Sequence, residues 1–94
     1  MKIIGLIKLL DQKAFSRYRD LVGSTVSAYD GVVRFRGTKI FTVWNELSCG
    51  DFDAMVEIEF RSSEQARRWA DSPEYRALLG IRSEAMLLTL FGVE

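Results

Sequence analysis

The chain has 94 residues, 48% of them hydrophobic, and its 13 basic and 13 acidic side chains cancel to a net charge of zero. That length holds one domain, taken as residues 1–94, and leaves no room for two; so small a chain buries only about 60–65% of its unfolded surface, and its high apolar content points to an interface. With no net charge and no block of like charges, there is no field to draw in nucleic acid or an anionic membrane, and neither is expected as a partner.

Residues 3–9 are a β-branched and apolar run without helical spacing, which predicts a first strand. Asp11 follows where a helix N-cap belongs, since its carboxylate can accept from the free N–H groups of a first turn. Phe15, Tyr18, Val22, Val26 and Tyr29 then recur at steps of three and four, the spacing of one apolar helix face. Asp30-Gly31 is a turn signal that ends this helix.

Residues 31–44 are rich in Val, Phe, Thr, Ile and Arg, and predict one long strand or two short ones, broken or bulged at Gly37. Residues 45–53 carry Asn, Ser, Gly and Asp and predict a loop. In residues 54–60, Ala54, Val56, Ile58 and Phe60 alternate with Met55, Glu57 and Glu59, the cleanest strand pattern in the chain. Ser62 and Gln65 have capping-box spacing and open a second helix, whose apolar stripe is Ala66, Trp69 and Ala70. Asp71-Ser72-Pro73 stops it and starts another, with Ser72 as N-cap, Pro73 as first helical residue, and Tyr75, Leu78 and Leu79 on the apolar side. Residues 86–91 are apolar but for Thr89 and closed by Gly92; periodicity alone does not choose helix or strand. Read as a strand, they complete the order βαββαβ, the ferredoxin-like α+β arrangement. A strand apolar on both faces needs cover on both sides, and helices supply only one. A second protomer could supply the other.

The chain contains no histidine and one cysteine, Cys49. This removes a His general base, Ser–His and Cys–His pairs, His-ligated haem, an internal disulfide, and most zinc and non-haem iron sites. Asp51 and Asp53 are the nearest acidic pair for a carboxylate-only cation site but lack calcium-loop spacing, so no metal is expected. No glycine-rich phosphate loop is present, and Arg36-Gly37 is followed by Thr38-Lys39 rather than the aromatics of an RNA-recognition strand. Lys8 interrupts the apolar start and no small-residue cleavage site follows, while no apolar run reaches the roughly 20 residues of a membrane span. A cytoplasmic location is expected.

Asp11, Tyr18, Tyr29, Gly31, Arg36-Gly37, Ile58-Glu59-Phe60, Ala66, Ser72-Pro73-Glu74-Tyr75 and Arg82 together give the chain a family likeness. It resembles the bacterial domain-of-unknown-function family 1330, within the dimeric α/β-barrel superfamily. It departs from that family's pattern at Asp30, where the family usually has glycine, at Asn45-Glu46-Leu47, where a Glu-Gly pair is usual, and near Asp53, where an arginine is common. The resemblance implies a ferredoxin-like βαββαβ domain with a four-stranded antiparallel sheet. It also implies a homodimer, the two sheets facing each other as a dimeric α/β barrel with helices outside. It implies no settled activity, because its superfamily holds cofactor-independent oxygenases, haem enzymes, isomerases and ligand sensors.

The polar residues inside apolar strands are the candidate site. Arg34 and Arg36 alternate with Val33 and Phe35, and Glu57 and Glu59 alternate along the neighbouring strand, so the four are expected on one face. They form either structural cross-strand ion pairs or an anion site in which Arg36 binds a small carboxylate and Glu59 orients it or acts as a base. Tyr29 and Arg82, with Trp44, Trp69 and Tyr75, are candidates for the lining of a pocket between sheet and helices. The function expected is a homodimer that binds a small, anionic metabolite without cofactor. The alternative is a cofactor-independent oxygenase or isomerase acting on a small aromatic or acidic metabolite.

Overall fold

The computed structural model describes residues 1–94. Eight elements follow in chain order: β1 (Lys2–Leu9), α1 (Gln12–Ser27), β2 (Val32–Thr38), β3 (Ala54–Glu59), α2 (Ser63–Ala70), α3 (Pro73–Arg76), α4 (Leu79–Ala85) and β4 (Met86–Val93). The strands form one antiparallel sheet in the order β2-β3-β1-β4. This is the ferredoxin-like arrangement expected from the element order.

The caps behave as their residue types dictate. Asp11 Oδ1 accepts from the Ala14 N–H at 3.0 Å, and the hydroxyls of Ser62 and Ser72 accept from Gln65 and Tyr75. α1 ends at Ser27, two residues short of Tyr29, because Asp30 turns the chain at φ 59°. That is the left-handed conformation glycine adopts without steric cost. The helix expected from Pro73 through Leu79 is divided: α3 ends at Arg76 and Leu79 opens a separate α4, which Leu78 precedes without a side-chain cap, so no cap signal announces it.

Ile3, Gly5 and Ile7 of β1 share a face with Ile58, Val56 and Ala54 of β3 and with Leu90 and Leu88 of β4. This face carries the core, where Ile7, Ile58, Phe60 and Met86 pack with Tyr18, Val22 and Val26 of α1 and with Trp69, Tyr75 and Leu78. The opposite face bears Val32, Phe35, Leu87, Phe91 and Val93, all exposed. Residues 86–93 are therefore a strand along their whole length; Gly92 does not end it but pairs with Ile3.

β2 differs from expectation in two ways. It stops at Thr38, opposite Ala54, because β3 offers no partner beyond that point. Lys39 N–H makes one last bond to the Asp53 carbonyl at 2.8 Å, and residues 40–52 then leave the sheet. The bulge lies between Val33 and Phe35, not at Gly37, which pairs regularly with Met55. Gly37 serves another purpose: the Phe35 ring lies across it, and a Cβ there would come within 2.6 Å of that ring.

Candidate functional site

The bulge decides where the arginines point. An extra residue in one strand reverses the inward–outward alternation beyond it. Val33 pairs with Ile58 and faces the helices; after the bulge Phe35 pairs with Glu57 on the open face, and Arg36 pairs with Val56 on the helix face. Arg34 stays on the open face, where it reaches Glu59 at 2.8–2.9 Å. The expectation that Arg34 and Arg36 share a face is thus corrected. So is the pairing of Arg36 with Glu59, because the sheet stands between them.

On the open face the carboxylates are engaged in cross-strand ion pairs. Lys2 holds Glu57 at 2.7 Å, and the Arg34 guanidinium keeps the Glu59 carboxyl below its usual range. A carboxylate held in this way stays ionised at neutral pH and is a poor proton acceptor. The other two expected residues are also occupied. The Tyr29 hydroxyl donates to Glu74 at 2.5 Å, and Arg82 donates to the Tyr75 hydroxyl at 3.0 Å while stacking on its ring.

On the helix face, α1 stands off the sheet and leaves a cavity of about 300 Å³. Phe15, Tyr18, Val22 and Val26 of α1 form one wall, Val33, Val56, Ile58, Leu88 and Leu90 of the sheet another, and Trp69 of α2 lies behind. Gly5 lies beneath Val56 and Leu90, where a Cβ would come within 2.7 Å of the Val56 side chain. Fourteen of the 18 lining residues are hydrophobic, so the body of the cavity selects apolar groups. The polar contributions come mainly from Arg36 and Thr38 of β2 and Arg19 of α1. Both arginines are exposed, which places their heads at the rim, and neither has a carboxylate within 4.0 Å. Arg19 lies instead over the Phe15 ring, 5.8 Å from its centroid.

The cavity wall is stiffened by a buried polar chain. Arg82 donates to the Tyr75 hydroxyl, which stands 2.8 Å from the hydroxyl of Tyr18. Burial, and then Tyr75, push the Tyr18 phenol far above its ordinary pKa, so it stays protonated. Trp69 Nε1 donates to Thr25 Oγ1 at 3.0 Å, and the Thr25 hydroxyl donates to the Val22 carbonyl. No histidine, carboxylate, lysine or cysteine lines the cavity.

Of the residues expected to bind a ligand or line its pocket, Arg36 and Trp69 lie at this cavity, and Arg34, Glu59, Tyr29, Arg82, Trp44 and Tyr75 do not. Arg19 and Tyr18 are on it without having been expected there as site residues. The signal for Arg19 was its place four residues after Phe15, at the edge of the apolar stripe. Asp51 is held by Lys39 at 2.9 Å and by Lys8 at 3.4 Å, and no group of three or more metal-ligating side chains forms anywhere in the chain. No helix is long and apolar enough to cross a membrane.

Comparison with known proteins adds to this geometry. A family model described as "Domain of unknown function (DUF1330)" matches residues 3–94. No curated protein matches the chain. Among solved structures, it is similar to the RPA0582 protein of unknown function from Rhodopseudomonas palustris, with a TM-score of 0.76 and 16% identity over 99% of this chain and 82% of that one. The protein At3g17210 from Arabidopsis thaliana superposes with a TM-score of 0.68 at 13% identity, over 99% of this chain and 94% of that one. A dimeric protein of unknown function with a ferredoxin-like fold, from Bacteroides fragilis, superposes with a TM-score of 0.53 at 17% identity, over 98% and 94% of the two chains. At these identities the likeness is one of fold.

Proposed function

This chain belongs to the DUF1330 family, and from that premise we propose that it is a homodimeric, single-domain protein that binds a small, largely apolar metabolite bearing an anionic group, without a cofactor. The observation that carries the reading is an apolar cavity with two exposed arginines at its rim, neither paired with a carboxylate. A guanidinium suits bidentate contact with a carboxylate, and the apolar walls would hold the rest of the ligand. Binding is favoured over catalysis because no lining side chain can take up a proton at neutral pH. The alternative, a cofactor-independent oxygenase or isomerase, would need a substrate that supplies its own reactivity, with the Tyr18 phenol as donor.

Homodimer formation is part of the same reading. The open sheet face mixes exposed Leu87, Phe91, Phe35 and Val93 with the Lys2–Glu57 and Arg34–Glu59 pairs. The Bacteroides fragilis relative in fold is described as dimeric.

Octanoate and 1-octanol test the site, since they differ in the anionic head. Calorimetry is expected to show tighter binding of octanoate, and Arg36→Ala should weaken octanoate by about tenfold, leaving octanol unchanged. Equal binding of the two probes, or an Arg36→Ala variant indistinguishable from wild type, would overturn the anion site.

A further inference from the structure

Residues 39–53 form an arm that leaves the sheet between β2 and β3. Ile40, Phe41, Val43, Trp44 and Leu47 project from it and are between 71% and 89% exposed. Five large apolar side chains within eight residues are rarely left in water by a monomer. The arm is nevertheless built. Its base is pinned by the Lys39 N–H bond to Asp53, by the Lys39–Asp51 ion pair at 2.9 Å, and by Asp53 Oδ2 accepting from the Leu9 N–H at 2.7 Å. Its tip is closed by Asn45, whose side chain both accepts from the Cys49 N–H and donates to the Cys49 carbonyl.

Two observations say what covers it. The first is area. A folded monomer of 10.7 kDa exposes about 5,500 Å², whereas this chain exposes 6379 Å². The excess, about 900 Å², is close to the roughly 800 Å² each partner contributes to a standard protein interface. The second is continuity. Ile40 and Phe41 border a shallow groove with Leu6, Phe35, Phe52 and Met55, which joins the arm to the open sheet face.

We propose that the arm docks on the open sheet face of a second copy of this chain, so that two arms are exchanged across a two-fold axis. An isologous exchange buries the arm's apolar side chains and the facing sheet together. Trp44 and Phe41 are the anchors, because large aromatics dominate interface energies. The inference rests on the homodimer proposed above but adds to it: sheets alone could pair without the arms.

The test uses the intact chain and its two tryptophans, Trp44 at 81% exposure and Trp69 at 1%. Sedimentation and iodide quenching are compared for wild type, a Phe41→Asp/Trp44→Asp variant, and a Phe91→Asp variant on the open face. Wild type should be dimeric at micromolar concentration, with Trp44 protected from iodide until dilution separates the copies. The arm variant should dimerise about a hundredfold more weakly or worse, while the emission of Trp69 stays that of the folded chain. An arm variant that dimerises like wild type, while Phe91→Asp is monomeric, would overturn the arm and leave the sheet-paired dimer standing. A wild-type chain that stays monomeric would overturn both.

Discussion

The hydroxyls of Tyr18 and Tyr75 stand 2.8 Å apart in the core, with Arg82 donating to Tyr75 from the outer side. Their rings meet edge to face, 6.5 Å between centroids. Tyr18 forms part of the cavity wall, so this chain links a half-buried arginine to the interior of the candidate site.

One consequence is an alkaline limit to stability. Burial raises the Tyr18 pKa in the folded chain above the ordinary phenol value of about 10. Above that pH the unfolded chain releases a proton that the folded chain keeps. Folding stability is therefore fully present below about pH 10 and declines as pH rises further. Urea denaturation from neutral to alkaline pH should show this decline, and Tyr18→Phe should reduce it. At neutral pH the same substitution is expected to cost about 1–2 kcal/mol, since it removes one partner of a buried hydrogen bond.

Two glycines should respond in opposite directions. Gly23 lies inside α1, and a Cβ there meets nothing within 4 Å. Gly23→Ala should stabilise the chain by about 0.5–1 kcal/mol. At Gly31 a Cβ would come within 2.5 Å of the Phe60 ring and 2.8 Å of Val26. Both neighbours are tightly buried, so Gly31→Ala should cost about 1–3 kcal/mol. Thermal melts of the two variants beside wild type check both signs.

The base of the arm should loosen in acid. The Asp51 carboxyl is held below its ordinary range, first by Lys39 and then by Lys8. Its contribution is present above the ordinary carboxylate value of about 4 and is lost as pH falls through the lower folded value. The carboxyl carbon resonance of Asp51 should therefore titrate below that of a free aspartate, and Lys39→Met should raise the midpoint. Because the pair is exposed, added salt should do the same in wild type.

Much of the fold was legible in residue order. Asp11, Ser62 and Ser72 were recognisable as caps because a short polar side chain before an apolar stripe satisfies free N–H groups locally. Ala54 to Phe60 was recognisable because alternation is a property of one strand. The candidate site was not, because it depends on a single bulge. Strict alternation puts Arg34 and Arg36 together; an extra residue between Val33 and Phe35 sends one to each face. No residue type at that position demands a bulge, and Gly37 drew the expectation toward itself while serving the Phe35 ring.

By itself the sequence determined the order of the strands and of the helices other than α4, most of the inward-facing apolar residues, the family likeness, and the exclusion of chemistry that needs histidine or paired cysteines. These depend on composition and on contacts a few residues apart. Only the tertiary structure decided that Arg36 faces an apolar cavity with Arg19, that Glu59 belongs to Arg34, and that the chain between β2 and β3 leaves the sheet as an exposed arm. Those outcomes depend on strand register and on where a partner strand ends, which are set by pairing between distant parts of the chain.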